Sequence, residues 1–190
     1  MAKRNQMDRR SRRRQLPQRG YTQLLQGNRL ATARATNVDM HVKHCFEVCR
    51  AVKNKTAGEA VAYLNEVLRI DSNRADIRRK ATAVPFRLGS GNKRKRRSGP
   101  SMVGHRKGGI GPGRFPVKAS RAIIKVIESA MENARFQYED IDADEMVITH
   151  IAAHRGPIRK GLIPRARGRA TPSNHYRVNL EVFLEDMNAM

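Results

Sequence analysis

The chain has 190 residues, of which 39 are Lys or Arg and 17 are Asp or Glu, so its formal net charge is +22. Its 39% hydrophobic and 5% aromatic residues allow one modest core, in a domain of ~100–150 residues with extensions. The sequence shows no apolar run of ~20 residues and no signal-peptide core, so export and membrane insertion are not expected. Two cysteines without secretory features indicate a reducing compartment.

The positive charge is concentrated in three segments, 1–19, 87–114 and 155–177, which hold eight, nine and seven basic residues and a single acid, Asp8. The other 120 residues have 15 basic and 16 acidic side chains. A nearly neutral domain with three basic extensions predicts a polyanionic partner, and phosphate backbones are the usual one. Solvated tails of a soluble protein are the plain alternative. A membrane surface is disfavoured because these segments contain Gly, Pro and Ser instead of bulky apolar helix faces.

The predicted elements come in the order strand, helix, helix, helix, strand, strand. Residues 1–28 show no periodicity and indicate a basic, poorly ordered arm, and residues 30–40 alternate as in a strand. Residues 42–52 have helical spacing, and Thr56 with Glu59 forms a capping box that starts a second helix. The apolar stripe predicted for the first helix consists of Val42, Cys45, Phe46, Cys49 and Val52.

The second half of the chain predicts a basic loop, a long helix and a hairpin. Residues 87–114 have no periodicity, whereas 117–135 form the strongest helical pattern, with a core face of Ile123, Val126, Ile127, Ala130, Met131 and Ala134. Residues 146–154 and 178–185 alternate as strands, and a register that pairs Met146 with Asp186 places the hairpin midpoint at Ala166. From His154 to that tip is about 40 Å at ~3.3 Å per residue, and the intervening sequence lacks an apolar face. The segment 154–178 is therefore predicted to project as an arm that a large partner encloses.

No enzyme or metal motif emerges. The glycines of 109–113 do not follow a strand and lack the Gly-Lys-Ser/Thr ending of a phosphate loop. His41, Cys45 and Cys49 share a helix face, but its ends are ~12 Å apart, too far for one zinc ion, so the thiols are predicted to be buried core residues. We therefore predict no catalytic residues, no metal, no cofactor and no small-molecule substrate. Acid-free tracts rich in Arg but poor in aromatics favour binding to the backbone of folded RNA.

Several stretches resemble a known family, the universal large-subunit ribosomal protein numbered twenty-two in bacteria and seventeen in eukaryotes, in its archaeal form. They are 42–50 (VKHCFEVCR), 84–87 (VPFR), 104–106 (GHR), 111–119 (GPGRFPVKA) and, most specific, 156–170 (GPIRKGLIPRARGRA). The resemblance covers roughly residues 29–186. It implies an α+β fold, a three-stranded antiparallel sheet packed with three helices, with a long projecting β-hairpin and a basic N-terminal extension.

The resemblance also implies a role: a structural constituent of the cytoplasmic large ribosomal subunit, whose hairpin threads through rRNA and helps line the polypeptide exit tunnel. The implied partners are large-subunit rRNA, neighbouring ribosomal proteins and the nascent chain. No membrane is expected among the partners. The implied tip residues are Ile163, Pro164, Arg165, Ala166, Arg167, Gly168 and Arg169. The implied rRNA-binding residues are Arg87, His105, Arg106, Lys107, Arg114, Lys118, Arg155, Arg159, Lys160, Arg165, Arg167, Arg169 and Arg177.

The chain departs from the family pattern in places. His41-Val42 replaces the usual Ser-Pro at the first helix start, so that cap is expected to be weaker or different. Residues 89–102, and part of 70–83, read as insertions, 1–28 exceed the common core, and 187–190 form a short tail. A chromatin-like or general nucleic-acid-binding module would share the charge without needing the hairpin. An RNA-processing enzyme would need convergent carboxylates or a metal near the basic surface.

Overall fold

The computed structural model describes residues 20–23, 27, 29–86, 103–106, 111–138 and 140–187, with the backbone alone for 103–105. Its main sheet has three antiparallel strands in the order β1-β8-β5, formed by Leu30–Val38, His175–Glu185 and Val147–Arg159. Its α-helices are α1 (Val42–Val52), α2 (Ala57–Leu68), the short α3 (Ala75–Arg79) and α4 (Val117–Gln137). The predicted α+β class with its three-stranded sheet is confirmed.

The long helix α4 packs against β1 and β8 through the predicted apolar face, all six residues of which are buried. On β1 the residues that face this core are small: Ala31 and Ala33 are buried, whereas Arg34 is exposed. Small side chains let a helix lie close to the strand. Asn133 of α4 also donates a hydrogen bond to the backbone carbonyl of Thr32 at 2.7 Å.

Helix α1 is present as predicted, but its apolar stripe is turned. The buried residues are Cys45, Val48, Cys49 and Val52, while Phe46 is 56% exposed. The prediction that Phe46 faces the core is therefore wrong, and Val48 takes that place. His41 makes no side-chain capping bond at the start of α1. At α2, by contrast, the Thr56 hydroxyl accepts from the Glu59 N–H at 3.2 Å, as the capping box predicted.

The linker between α1 and α2 covers the outer edge of β5. The Asn54 N–H donates to the Ile148 carbonyl at 3.0 Å, and the Ile148 N–H donates to the Lys55 carbonyl at 2.9 Å. The Ala57 N–H donates to the Met146 carbonyl at 2.8 Å. These bonds satisfy an edge that would otherwise be open to pairing with another chain.

A second, small sheet corrects the interpretation of 87–114 as a loop. Its strands are β2 (Val84–Pro85), β4 (Pro112–Arg114) and β3 (Val103–His105), in that order and antiparallel. Gly113 lies at the centre, where an added Cβ would be 2.7 Å from the Ala83 side chain. This close approach explains the glycine. The rest of the predicted loop, 87–102 and 107–110, lies outside the described residues.

The outer face of the main sheet, opposite the helices, is covered in part by the segment 20–23. The Tyr21 ring packs edge-on against Phe183 of β8 at 5.2 Å between centroids, and the Thr22 N–H donates to the Glu181 carboxylate at 3.1 Å. Glu181 and Phe183 are consequently buried although they point away from the main core. The sequence did not indicate this contact, and 1–19, 24–26 and 28 lie outside the described residues.

Candidate nucleic-acid interface

The hairpin runs from the pair Val147–Glu185 to the pair Arg159–His175 and continues in β6 (Leu162–Pro164) and β7 (Ala170–Pro172). Its base has the register expected from the sequence. Two irregularities, between Ile148 and His150 and between Arg155 and Ile158, each add one residue to β5. The pair Pro164–Ala170 therefore centres the tip on Arg167, one residue beyond the predicted Ala166.

The tip is a tight turn. The Arg165 N–H donates to the Arg169 carbonyl at 2.8 Å, and the Arg169 N–H donates to the Ala166 carbonyl at 3.4 Å. Arg167 and Gly168 have φ angles of 60° and 67°, both left-handed. An added Cβ on Gly168 would meet nothing within 4 Å, so the glycine serves this backbone conformation and not a close approach. Arg167 adopts the same conformation at some cost.

The arm carries its charge into solvent. Between 157 and 176 no residue is buried. Among the described residues, no carboxylate lies within 4.0 Å of the cations of its outer part, and the charge there is uncompensated. On the arm, the exposed basic side chains from the predicted set are Arg155, Arg159, Lys160, Arg165, Arg167 and Arg169. Ile158, Leu162 and Ile163 are also exposed, so the arm alternates apolar and cationic contacts.

A second basic region lies where the small sheet meets the start of α4. The Arg114 guanidinium lies 5.1 Å from the centre of the Phe86 ring, and the His44 ring meets Phe86 edge-on at 5.6 Å. Burial lowers the pKa of His44 to about 4, and the nearby His41 and Arg114 add to this effect. The imidazole is thus neutral at physiological pH, and the cation that this stack presents is Arg114.

Two of the predicted rRNA-binding residues share an acid at the base of the hairpin. Lys118 and Arg177 lie 3.1 Å and 3.7 Å from the two carboxylate oxygens of Asp39. The hydrogen bond and charge of Lys118, together with the charge of Arg177, hold the pKa of Asp39 below its usual range. Asp39 therefore stays ionised and makes solvent-exposed ionic contacts with both α4 and β8. This contact could not be predicted from the sequence, because the three residues are far apart in the chain.

The predicted set is thus divided between two surfaces. The hairpin carries seven of its members, of which Arg177 lies at its base, while Arg106, Arg114 and Lys118 belong to the domain. Arg87 and Lys107 lie outside the described residues, and for His105 only the backbone in β3 is described. The aromatic partners His44 and Phe86 were not predicted, although both lie in stretches that carry the resemblance.

Among the described residues, Glu181 is the buried side chain that carries a charge. Its Oε1 accepts from His150 Nε2 at 2.9 Å and from His154 Nε2 at 3.1 Å, besides the bonds from the amide and hydroxyl of Thr22. Burial raises the pKa of Glu181, but these hydrogen bonds outweigh it, so the pKa is lowered overall. The carboxylate thus remains charged and fully bonded.

The cysteines lie in the core, as predicted. Cys45 and Cys49 are free and buried, and burial raises the pKa of Cys45 to about 11 and that of Cys49 further. Throughout the described residues, no group of three or more His, Cys, Asp or Glu side chains is arranged to hold a metal ion. Within the same ranges, no helix has the length and apolarity needed to cross a membrane.

Comparison with known proteins identifies the chain's relatives. The family model described as ribosomal protein L22p/L17e matches residues 33–185. The chain belongs to this family. One relative, the large ribosomal subunit protein uL22 of Methanopyrus kandleri, is 39% identical over 165 residues, which cover 85% of this chain and 90% of the relative. The protein of the same name from Methanocorpusculum labreanum is 36% identical over 167 residues, 88% of this chain and 96% of the relative. These matches place the chain in the archaeal form of the family.

Proposed function

We propose that the protein is a structural constituent of the large ribosomal subunit in the cytoplasm, and that it binds and organises large-subunit rRNA. In this proposal residues 29–186 form the single domain, 1–28 are a basic arm, 154–178 are the hairpin arm and 187–190 are a short tail. The role is structural and not catalytic, in keeping with the family.

The exposed, acid-free hairpin carries this proposal. A strand pair that is exposed along its outer part and holds several uncompensated cations is poorly suited to free solution. Enclosure by rRNA would supply phosphates for the arginines, whose planar guanidinium groups match phosphate oxygens in pairs. The exposed Ile158, Leu162 and Ile163 would then pack on bases, sugars or a neighbouring ribosomal protein.

The second part of the proposal concerns the hairpin tip. The turn at Arg167 is the point most distant along the arm from the main sheet, and it has few side chains that could hold it in place. We infer that 163–169 lie at the wall of the polypeptide exit tunnel, where the nascent chain passes. The tight turn would give this wall a narrow edge.

Co-sedimentation tests the assignment to the subunit. The full-length chain is added to large subunits depleted of their own copy and is centrifuged through a sucrose gradient at moderate and at high salt. Retention at both salt concentrations is expected. Release at moderate salt, with equal binding to unrelated RNA and DNA, would instead indicate a general nucleic-acid-binding module.

Crosslinking tests the tip. An Arg167→Cys variant, incorporated into ribosomes that hold a stalled nascent chain with a single cysteine, should be joined to that chain by a thiol-specific crosslinker. Lys53→Cys, on the exposed linker between α1 and α2, is the matched control and should give no product. The native thiols are buried and should not interfere. Equal yields from the two variants would contradict placement of the tip in the tunnel.

A further inference from the structure

A cleft of about 560 Å³ opens where the hairpin leaves the main sheet. One wall is the segment that joins β1 to α1, with Asp39, His41 and Lys43, and Lys118 of α4 lies beside it. The opposite wall comes from the base of the hairpin, with Arg155 and Tyr176. This volume lies within the range of ~300–1,000 Å³ that is usual for sites that hold a small molecule or a single group.

The charge of this cleft favours an anion. Lys43, Lys118 and Arg155 line it, against the single carboxylate of Asp39. Asp39 is already neutralised by Lys118 at 3.1 Å and by Arg177 at 3.7 Å. Lys43 makes no ion pair in the part of the chain that the structure describes, and its side chain is exposed. The cleft therefore retains positive charge that its own acid does not cancel.

The other groups of the cleft are flat. The Tyr176 ring is 45% exposed, and the Arg155 guanidinium lies 6.0 Å from its centre. The imidazoles of His41 and His175 are exposed as well. Tyrosine, histidine and guanidinium planes are the surfaces on which unstacked RNA bases pack. A free inorganic anion would need the cations but not these planes.

We propose that this cleft binds one unstacked nucleotide of an RNA strand, with its base against Tyr176 and its phosphate near Lys43 and Lys118. The inference rests on the proposed rRNA binding and deepens it by naming a site for a single nucleotide apart from the hairpin tip. A concave site of this size excludes a duplex, which would meet only its rim. The nucleotide must therefore come from a loop, a bulge or a splayed position in the folded RNA.

Nucleotide titration of the full-length chain tests this site. Adenosine, guanosine, cytidine and uridine 5′-monophosphates are titrated separately while the NMR resonances of the His and Tyr side chains are followed. We expect the largest shifts at His41, His175 and Tyr176, with binding about tenfold tighter than for inorganic phosphate, since base stacking adds to the phosphate contact. Phosphate binding as tightly as the nucleotides, or an acidic hexaglutamate peptide moving the same resonances equally, would overturn the proposal.

Matched variants make the result specific. Tyr176→Leu should remove most of the preference for nucleotide over phosphate, while Phe136→Leu, which removes an aromatic ring that is 90% exposed elsewhere, should change nothing. Lys43→Gln should weaken nucleotide binding several-fold, while Lys53→Gln, at the other end of α1, should not. Equal effects of cleft and control variants would refute the site.

The co-sedimentation experiment separates the two levels of the proposal. If the chain joins the subunit but does not bind nucleotides in the cleft, the proposal of rRNA binding stands and the proposal of a nucleotide site is refuted. If the chain fails to join the subunit but binds nucleotides with the expected effects of the variants, the ribosomal assignment is refuted and the nucleotide site is supported.

Discussion

Thr22 and Glu181 are joined by two hydrogen bonds across the outer face of the sheet. The Thr22 N–H donates to Glu181 Oε2 at 3.1 Å, and the Thr22 hydroxyl donates to Oε1. The carboxylate is 2% exposed and also accepts from two imidazoles. This pair therefore fastens the segment that follows the basic N-terminal residues to the strand that forms one side of the hairpin.

Removing the hydroxyl should loosen this attachment. Thr22→Val is expected to lower the free energy of unfolding by about 1 kcal/mol, because the buried carboxylate of Glu181 loses one hydrogen-bond donor. Glu181→Ala should cost more, about 2–3 kcal/mol, since it leaves His150, His154 and Thr22 without their acceptor. Urea denaturation measures both. Thr36→Val, on an exposed position of β1, is the control, and an equal loss there would argue against the attachment.

Stability should depend on pH through His44. Its pKa is about 4 in the folded protein against 6.5 as the ordinary value, so the unfolded chain binds more protons between these limits. The free energy of unfolding should therefore fall as the pH drops from 6.5 towards 4. His44→Gln should flatten this slope. Glu181 contributes in a lower window, because its pKa falls below an ordinary value of 4.5, and its contribution is lost only under more acidic conditions.

Urea titrations of the wild type and His44→Gln between pH 7 and 4.5 check this dependence. The difference between the two curves isolates His44 from the other histidines. If the two slopes are the same, His44 is not kept neutral by its surroundings.

The thiols should be unreactive in the native protein. Cys45 and Cys49 are buried with raised pKa values, so a thiol reagent should label them only as the chain unfolds. The double variant Cys45→Ser, Cys49→Ser should lose on the order of 1–3 kcal/mol per unsatisfied hydroxyl, yet still bind RNA. Rapid labelling of the folded protein, or stoichiometric zinc that the double variant lacks, would contradict a purely structural role.

Much of this architecture can be predicted from the sequence, because α4, β5 and β8 bury regular stripes that are long enough to be unambiguous. The small sheet could not be predicted, since its strands are two or three residues long and contain Gly and Pro. The burial of Phe46 was predicted wrongly because the helical pattern of α1 allows two overlapping apolar faces. The sheet covers the face that contains Val48, and Phe46 is left exposed.

The site was only partly predictable for similar reasons. The basic hairpin residues stand out by composition, and their register is right at the base of the hairpin. Two extra residues in β5 move the tip of the hairpin by one residue. This shift was not predicted, because a bulge leaves no clear mark in the alternation of apolar and polar residues. Asp39, Thr22 and Tyr176 contact residues that are distant in the sequence. Such contacts form only in the folded chain, so the sequence pattern did not indicate them.

The hairpin should be mobile in the free protein. From 155 to 177 it has few buried contacts, so its amides should exchange with solvent far faster than those of α4. Hydrogen exchange followed by mass spectrometry on the isolated chain measures this difference. Protection of the arm comparable to that of α4 would mean that the arm packs on its own domain.

The central claim is that the hairpin's cations neutralise rRNA phosphates, and the salt dependence of binding tests it most directly. The affinity of the full chain for a large-subunit rRNA fragment is measured over a range of salt concentrations. The variant changes Arg159, Lys160, Arg165, Arg167 and Arg169 to Gln. The control changes five exposed basic residues of the domain, Arg50, Lys53, Arg79, Lys80 and Arg135, to Gln. Each lost phosphate contact should reduce the magnitude of the slope of log K against log salt by ~0.7–0.9. The slope of the hairpin variant should therefore be smaller than that of the wild type by about 4, and the slope of the control should change much less. Equal slopes for the hairpin variant and the wild type would contradict the account.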